Sequence, residues 1–165
     1  MQMDLLSLIP DNVAEVLVEI VRFTELRRRL LHDNMRLVDA PAFMPRDMPV
    51  REFAEVLNGA VAEHLCSRRL LFRDTTNIAF GLNGATRIRP VVDAHAHALL
   101  QKSRDEYLEL QVSKLLENAL NRKVAIELLK HKCGVHPDAL DWSVAMTLAD
   151  SGPFENSSTH CDTAE

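Results

Sequence analysis

Residues 103–133 read SRDEYLELQVSKLLENALNRKVAIELLKHKC and contain the most regular apolar pattern in the chain. Their apolar side chains recur at alternating four- and three-residue steps, which places them along one side of an α-helix. Ser103 followed by Glu106 is typical of a helix start, and Gly134 is the kind of residue on which helices end. We therefore predict a helix over residues 103–133, about 45 Å long at about 1.5 Å per residue.

A helix of this length needs a long partner, and residues 12–38 have apolar side chains at the same spacing. Asp11 or Asn12 can cap this second helix, and the proline-rich residues that follow it end it. We predict that the two helices pair lengthwise, as in a coiled coil. The predicted seam consists of Val16, Ile20, Phe23, Leu30, Asn34, Leu108, Val112, Leu115, Ala119, Ile126 and Leu129. Arg27 and Arg122 interrupt the two stripes, and we expect them to extend out of the seam or to contact a neighbouring subunit.

The remaining segments have weaker patterns. Residues 49–65 predict a shorter helix, whereas residues 66–102 fit an irregular segment or a weak β-hairpin. A last short helix is expected over residues 138–149, and the polar residues 151–165 are expected to form a disordered tail. We thus predict an all-α fold with an irregular or weakly β middle segment, in a single elongated helical domain over residues 1–150.

Composition narrows the classes of function. The chain has 165 residues and a net charge of −5, which argues against a nucleic-acid-binding protein. We interpret the arginines at positions 27–29 and 68–69 as solvated faces of helices. No segment has the roughly 18 apolar residues that span a bilayer, and residues 1–10 lack the positive region of a signal peptide. We therefore expect no membrane insertion, and we expect the three cysteines to be free thiols.

One short string has the residue types of a catalytic metal site. Asp93, His95 and His97 follow two valines and resemble the first strand of metal-dependent amidohydrolases, in which two histidines bind the metal. Such an enzyme is a barrel of about 250 residues, and the residues after His97 are too few to build one. We therefore expect an exposed linker that contains two histidines. We expect no catalytic residue, no metal or other cofactor and no small-molecule substrate.

Residues 30–47 have a longer and more specific likeness. They read LLHDNMRLVDAPAFMPRD and resemble, without a gap, the signature of flagellar basal-body rod proteins, which is roughly L-L-A-x-N-I-A-N-x-D-T-P-G-Y-K-A-R-D. The proximal rod subunit is the most similar type. The resemblance includes the loop after the first helix, through Asp39, Pro41, Phe43, Arg46 and Asp47. Leu37, Ala40 and Ala42 depart from the Asn, Thr and Gly of the signature, so we expect the turn after the helix to be built differently.

The C-terminal helix resembles the same family a second time. Residues 117–120 read ENAL and residues 125–129 read AIELL, which is similar to the closing segment of rod proteins. The resemblance implies a structural subunit without catalytic residues or cofactor, which assembles through its terminal helices. Its partners would be copies of itself and other rod or basal-body proteins. The resemblance also implies export by the flagellar type III apparatus, without a cleaved signal peptide, to the periplasmic rod of the basal body.

Two other functions fit parts of the sequence. A cytoplasmic helical adaptor or chaperone-like protein would use the same two helices in a closed dimer. A small metal-dependent hydrolase would use the string from Asp93 to His97. The two long helices have more apolar surface than a single hairpin can cover, and we expect oligomerisation to cover the rest. The rod subunit is therefore the function that the sequence favours.

Overall fold

A computed structural model describes residues 12–81 and 85–133 of the chain. These residues form four helices and four short strands, in the order α1 (Asn12–Arg36), β1 (Arg46–Asp47), α2 (Val50–Ser67), β2 (Ile78–Phe80), β3 (Thr86–Ile88), β4 (Val91–Val92), α3 (Ala94–Lys102) and α4 (Arg104–Cys133). The predicted all-α fold with a weakly β middle segment is confirmed. The helix predicted over residues 138–149 and the tail predicted over residues 151–165 lie outside the described residues.

The helices begin and end close to the positions that the sequence predicts. The backbone nitrogen of Glu106 donates to the hydroxyl oxygen of Ser103 at 3.3 Å, which is one of the two bonds of the predicted capping box. Helix α2 ends at Ser67 rather than at residue 65, and Arg68 closes it in the left-handed conformation with φ of 60°. These ends depend on local contacts, which explains why the sequence predicts them well.

Helices α1 and α4 lie antiparallel along their lengths. At one end, Leu17 of α1 shares a buried cluster with Ala125 and Leu129 of α4. At the other end, the hydroxyl of Tyr107 in α4 donates to the backbone oxygen of Asn34 in α1 at 3.2 Å. The end of α1 therefore meets the beginning of α4, and the predicted lengthwise pairing is present within one chain.

Another side of α1 packs against α2 and the β-hairpin. The ring of Phe23 stacks on that of Phe53 in α2, with centroids 4.0 Å apart and an interplanar angle of 8°. Met48 and Ile78 complete this buried cluster. Strands β2 and β3 form the antiparallel hairpin, in which Ile78 lies opposite Ile88. Helix α1 is therefore covered on two sides and forms the centre of the described fold.

The middle segment contains one helix, α3, that was not predicted from the sequence. The expectation of an irregular segment over residues 66–102 is wrong for α3. The carboxylate of Asp93 accepts from the backbone nitrogen of Ala96 at 3.0 Å and caps this helix. Strand β4, just before it, pairs antiparallel with β1, with Arg46 opposite Val92. This pairing brings the loop over residues 39–47, called the signature loop below, next to the start of α3.

The turn after α1 has a backbone conformation that glycine adopts more easily than other residues. The backbone nitrogen of Phe43 donates to the backbone oxygen of Ala40 at 3.2 Å. Between them lie Pro41 and Ala42, and Ala42 has φ of 57°. Proline at the second position and a positive φ at the third define a type II turn. Ala42 thus takes the left-handed conformation that glycine adopts without strain. The expectation that this turn differs from that of rod proteins stays a prediction.

We expect Ala42→Gly to stabilise the fold by about 1 kcal/mol, because glycine has no Cβ to clash at positive φ. Urea unfolding followed by far-UV circular dichroism measures this change. Ala40→Gly is the matched control in the same turn, where φ is not positive. There the added backbone freedom of the unfolded chain should lower stability. A loss of stability in Ala42→Gly would contradict the left-handed conformation of residue 42.

Candidate functional site

Helix α4 turns a largely polar face toward α1. Tyr107, Gln111 and Asn118 lie on this face, and none of the three has more than 2% of its surface exposed. By contrast, the predicted seam residue Val112 has 57% of its surface exposed. Helix α4 is therefore rotated about its axis relative to the prediction. The predicted seam is therefore wrong at Val112 and Ala119, whereas Ile20, Ile126 and Leu129 do pack in the contact between α1 and α4.

The predicted seam residues divide into three groups by burial. The buried ones are Phe23, Asn34 and Leu129. The half-buried ones are Val16, Ile20, Leu30, Leu108, Leu115 and Ile126. The exposed ones are Val112 and Ala119. Phe23 packs against Phe53 of α2, so it does not belong to the seam with α4. The part these residues take in assembly stays a prediction.

Four charged side chains meet in a buried cluster between α1, β1, α3 and α4. Arg27 donates from Nε and Nη2 to the two carboxylate oxygens of Asp47, at 2.9 and 3.0 Å. Lys114 donates from Nζ to Asp47 Oδ2 at 2.8 Å and also to the Asp93 carboxylate. Each buried charge thus has a partner of opposite sign, as burial requires. The expectation that Arg27 leaves the seam or lies on a solvated face is wrong, since its side chain is 6% exposed.

The pKa values of this cluster favour its ionised form. Burial by itself raises the pKa of Asp47, but the hydrogen bonds from Arg27 and Lys114 outweigh burial and hold the pKa below its ordinary value. Burial lowers the pKa of Lys114, and its bonds to Asp47 and Asp93 raise it by more. The stability that Asp47 contributes is therefore present above its unfolded-state pKa of about 3.9 and is lost as pH falls through the lower folded-state value. The contribution of Lys114 is present below about pH 10.4 and is lost as pH rises through its folded-state pKa.

Asn34 connects α1, the signature loop and α4. Its amide nitrogen donates to the backbone oxygen of Arg46 at 2.6 Å and to Gln111 Oε1 at 3.2 Å. Its side-chain oxygen accepts from the backbone nitrogen of Arg46 at 3.4 Å. Replacing Asn34 would leave these buried polar groups without partners. We call the polar joint the group formed by Asn34, Gln111, Tyr107 and the four charged side chains; its members are Arg27, Asn34, Asp47, Asp93, Tyr107, Gln111 and Lys114.

The other residues of the signature loop lie around the polar joint. Asp39 accepts two hydrogen bonds from Arg104, at 3.1 and 3.0 Å, on the exposed side of the loop. Pro41 is exposed in the type II turn, and the side chain of Arg46 is exposed as well. Phe43 is half-buried and packs against the small cluster between the loop, α3 and α4. Among the predicted loop residues, Asp47 is thus the one whose side chain enters the polar joint.

Farther along α4, the polar contacts with α1 continue. Asn118 donates from Nδ2 to the backbone oxygen of Thr24 at 2.7 Å. Arg122 Nε lies 3.6 Å from Glu25 Oε2, so Arg122 stays in the seam instead of leaving it. Burial raises the pKa of Glu25, but its contacts with Arg28 and the other nearby arginines outweigh burial and lower it. This polar face was not predicted from the sequence, although its members also follow a helical four-three spacing.

Tyr107 offers a direct optical test of the polar joint, because it is the single tyrosine of the chain. Burial, with a further contribution from Asp93, raises the pKa of Tyr107 to about 12. We expect tyrosinate absorbance to appear near pH 12 in the folded protein and near pH 10 in urea. The stability that the buried neutral hydroxyl contributes is therefore present below about pH 10 and is lost as pH rises toward 12. A midpoint near pH 10 in protein that circular dichroism shows to be folded would contradict the burial of Tyr107.

The string from Asp93 to His97 is not arranged as a metal site. Asp93 caps α3 and accepts a hydrogen bond from Lys114. His95 is exposed and His97 is half-buried in the first turns of α3, and side chains two residues apart on a helix do not face each other. Within residues 12–81 and 85–133, no group of three or more His, Cys, Asp or Glu side chains is placed to hold a metal ion. The expected exposed linker is instead the start of a helix.

Comparisons with protein-family models, with curated proteins and with solved structures find no match to this chain. In the described part of the chain, none of the helices combines the length and the apolar composition that crossing a membrane requires. In that part, the polar joint ties the signature loop to both long helices.

Proposed function

We propose that this chain is a structural, non-enzymatic subunit of the bacterial flagellar basal-body rod and assembles through its two long helices. The proposal rests on one observation, which is that residues matching the rod-protein signature contribute side chains to the polar joint. Asn34 and Asp47 are identical to the signature, and their side chains tie the loop to both helices.

The outward side of α4 supports an assembling role. It has five large apolar side chains that are more than half exposed, and we call them the outer stripe; they are Val112, Leu116, Leu120, Val124 and Leu128. Soluble proteins that act alone seldom expose a continuous apolar surface of this kind, and such surfaces usually bind another protein. In our proposal, neighbouring rod subunits cover the outer stripe.

The partners in this proposal are further copies of the chain and other rod or basal-body proteins. The location is the periplasmic rod, reached through the flagellar type III export apparatus. Such a subunit needs no catalytic residue, cofactor, nucleic acid or small-molecule substrate. The polar joint would then serve to hold the two long helices and the signature loop in one rigid arrangement for assembly.

Co-assembly with proximal rod proteins tests the proposal. The purified full chain is mixed with purified proximal rod proteins of a flagellated bacterium, and sedimentation velocity measures particle size over a concentration series. We expect mixed particles that grow with concentration. Leu116→Asp on the outer stripe should abolish them, because assembly would bury the new charge. Leu65→Asp is the matched control, since Leu65 is exposed on α2 away from the stripe. Wild-type protein that forms no mixed particle at any concentration would overturn the proposal.

A helical adaptor that acts as a closed dimer is the second candidate function. The exposed apolar side chains of the outer stripe are the observation behind it, because a second copy would cover them as a rod neighbour would. A dimer whose mass stays the same at every concentration, with and without rod proteins, would favour the adaptor over the rod subunit.

A further inference from the structure

The outer stripe winds around α4, so a single straight helix can cover only part of it. Each four-residue step turns by about 40° around a helix with 3.6 residues per turn. The five members therefore spread over about 160°, whereas Leu120, Val124 and Leu128 lie within about 80°. These three side chains are 57%, 58% and 52% exposed. They lie nearest the end of α4, and we call them the terminal stripe.

The chain after α4 contains a further apolar segment. Helix α4 ends at Cys133, and residues 138–149 read DALDWSVAMTLA, with eight apolar residues among twelve. Leu140, Val144 and Leu148 follow one another at four-residue steps, as the members of the terminal stripe do. In water, a short helix of this composition is stable only when its apolar side chains pack against another surface.

The connection between α4 and this segment is short. Residues 134–137 read GVHP, in which glycine is suited to end a helix and proline to begin one. Helices joined by about two to five residues form antiparallel hairpins. The apolar surface nearest to the start of the segment is the terminal stripe, because the opposite side of α4 is packed against α1.

The lengths of the segment and of the terminal stripe agree. Twelve residues in a helix extend over about 18 Å, and Leu120 lies about 20 Å before the end of α4. We infer that residues 138–149 fold back on α4 as an antiparallel helix and cover the terminal stripe. In this arrangement Val144 lies beside Leu128, and Leu148 lies between Val124 and Leu120.

The charges at the end of α4 favour the same arrangement. The last turn of α4 is basic and includes Lys132, which is exposed. Residues 138–149 contain Asp138 and Asp141 and neither Lys nor Arg. An antiparallel return places Asp141 on the same side of the contact as Lys132 and at nearly the same height along it. Opposite charges at the edge of a helix pair favour one orientation over the other.

The fold-back contact leaves the rest of the outer stripe open. Val112 and Leu116 lie beyond the reach of the segment, on another side of α4, and stay available to a neighbouring subunit. The contact also leaves Ala125 and Leu129 in their places against α1. The inference goes beyond the rod proposal and does not depend on it, since it concerns one chain by itself.

Alkylation of single-cysteine variants of the full chain tests the inference, with the three native cysteines replaced by serine. We expect Val124→Cys to react about tenfold more slowly than Leu116→Cys, because the docked segment excludes the reagent until it opens. Leu116→Cys is the matched control, since Leu116 is 63% exposed and Val124 is 58% exposed. Equal rates at the two positions would overturn the inference.

A charge in the segment provides a second control for the same measurement. Adding Val144→Asp to each variant should release the segment, because docking would bury the new carboxylate. The rate at Val124→Cys should then rise to that at Leu116→Cys. Slow alkylation of Val124→Cys that persists with Val144→Asp would overturn the inference, because the segment would not be its cause.

Disulfide formation within one chain tests the pairing of the two helices. In the same cysteine-free background, Leu128→Cys together with Val144→Cys should form an intramolecular disulfide under mild oxidation, because facing residues approach within disulfide distance. Val112→Cys together with Val144→Cys is the control, since Val112 lies about 24 Å from Leu128 along α4 and should stay unlinked. Equal linking of the two pairs would overturn the proposed arrangement.

Concentration separates the fold-back contact from a contact between chains. A contact within one chain does not depend on concentration, so the slow alkylation of Val124→Cys should persist on dilution. Protection that is lost on dilution, or a disulfide-linked dimer in place of a linked monomer, would assign the terminal stripe to a second copy and overturn the inference. All these measurements use the chain alone, so the fold-back contact and the rod proposal can fail separately.

Discussion

Asp47→Ala should destabilise the fold by about 3–5 kcal/mol, because it removes the carboxylate that Arg27 and Lys114 share. Arg27 would keep its positive charge in a buried position without the carboxylate that binds it. Domains of this size are stable by about 5–15 kcal/mol, so the variant should lose a large part of its stability. Urea unfolding followed by far-UV circular dichroism measures the loss.

Asp39→Ala is the matched control for this prediction. Asp39 accepts two hydrogen bonds from Arg104 at 3.1 and 3.0 Å, in nearly the same geometry as the pair of Arg27 with Asp47. Water solvates the exposed pair in the folded chain, and removing such a pair changes stability little. If both alanine variants lost the same stability, burial would not be the source of the effect at Asp47.

Phe23→Ala should also cost about 3–5 kcal/mol, because it removes a buried aromatic ring and leaves a cavity. The lost contact is the stacking of Phe23 on Phe53, at 4.0 Å between centroids, which attaches α2 to α1. Hydrogen exchange should therefore show larger losses of protection in α2 than in α4. This result would separate the observed contact from the predicted one, in which Phe23 faces α4.

The control for Phe23→Ala is Leu65→Ala in α2. Leu65 is 69% exposed, and exposed positions of this kind usually change stability by less than about 0.5 kcal/mol. A loss below about 1 kcal/mol for Phe23→Ala would contradict its place in the buried cluster. Greater exchange in α4 than in α2 would instead favour the predicted seam.

Local patterns in the sequence were enough to predict most helix ends and the class of the fold. Ser103 caps α4 because a hydroxyl can bind a free backbone nitrogen of the first turn. The prolines at positions 41, 45 and 49 separate α1 from α2 because proline cannot continue a helix. Helix α3 could not be predicted in this way, although Asp93 is a common capping residue, because its 9 residues are too few to establish an apolar period.

The side of α4 that faces α1 could not be predicted in this way. Positions 107, 111, 114 and 118 have the same four-three-four spacing as positions 108, 112, 115 and 119, one residue apart in register. Spacing allows either set to face α1, and apolar character favours positions 108, 112, 115 and 119. In the folded chain the other set, which contains Lys114, faces α1.

The physical reason lies in contacts between distant parts of the chain. Asp47 is 67 residues from Lys114 in sequence, and Asp93 is 21 residues away. Leaving such a buried charge unpaired costs several kcal/mol, comparable to the gain from burying two leucines. Helix periodicity and helix ends are local properties, so the sequence specified them. The rotation of α4 depends on which charges the fold brings together, and that rotation leaves the outer stripe facing away from α1.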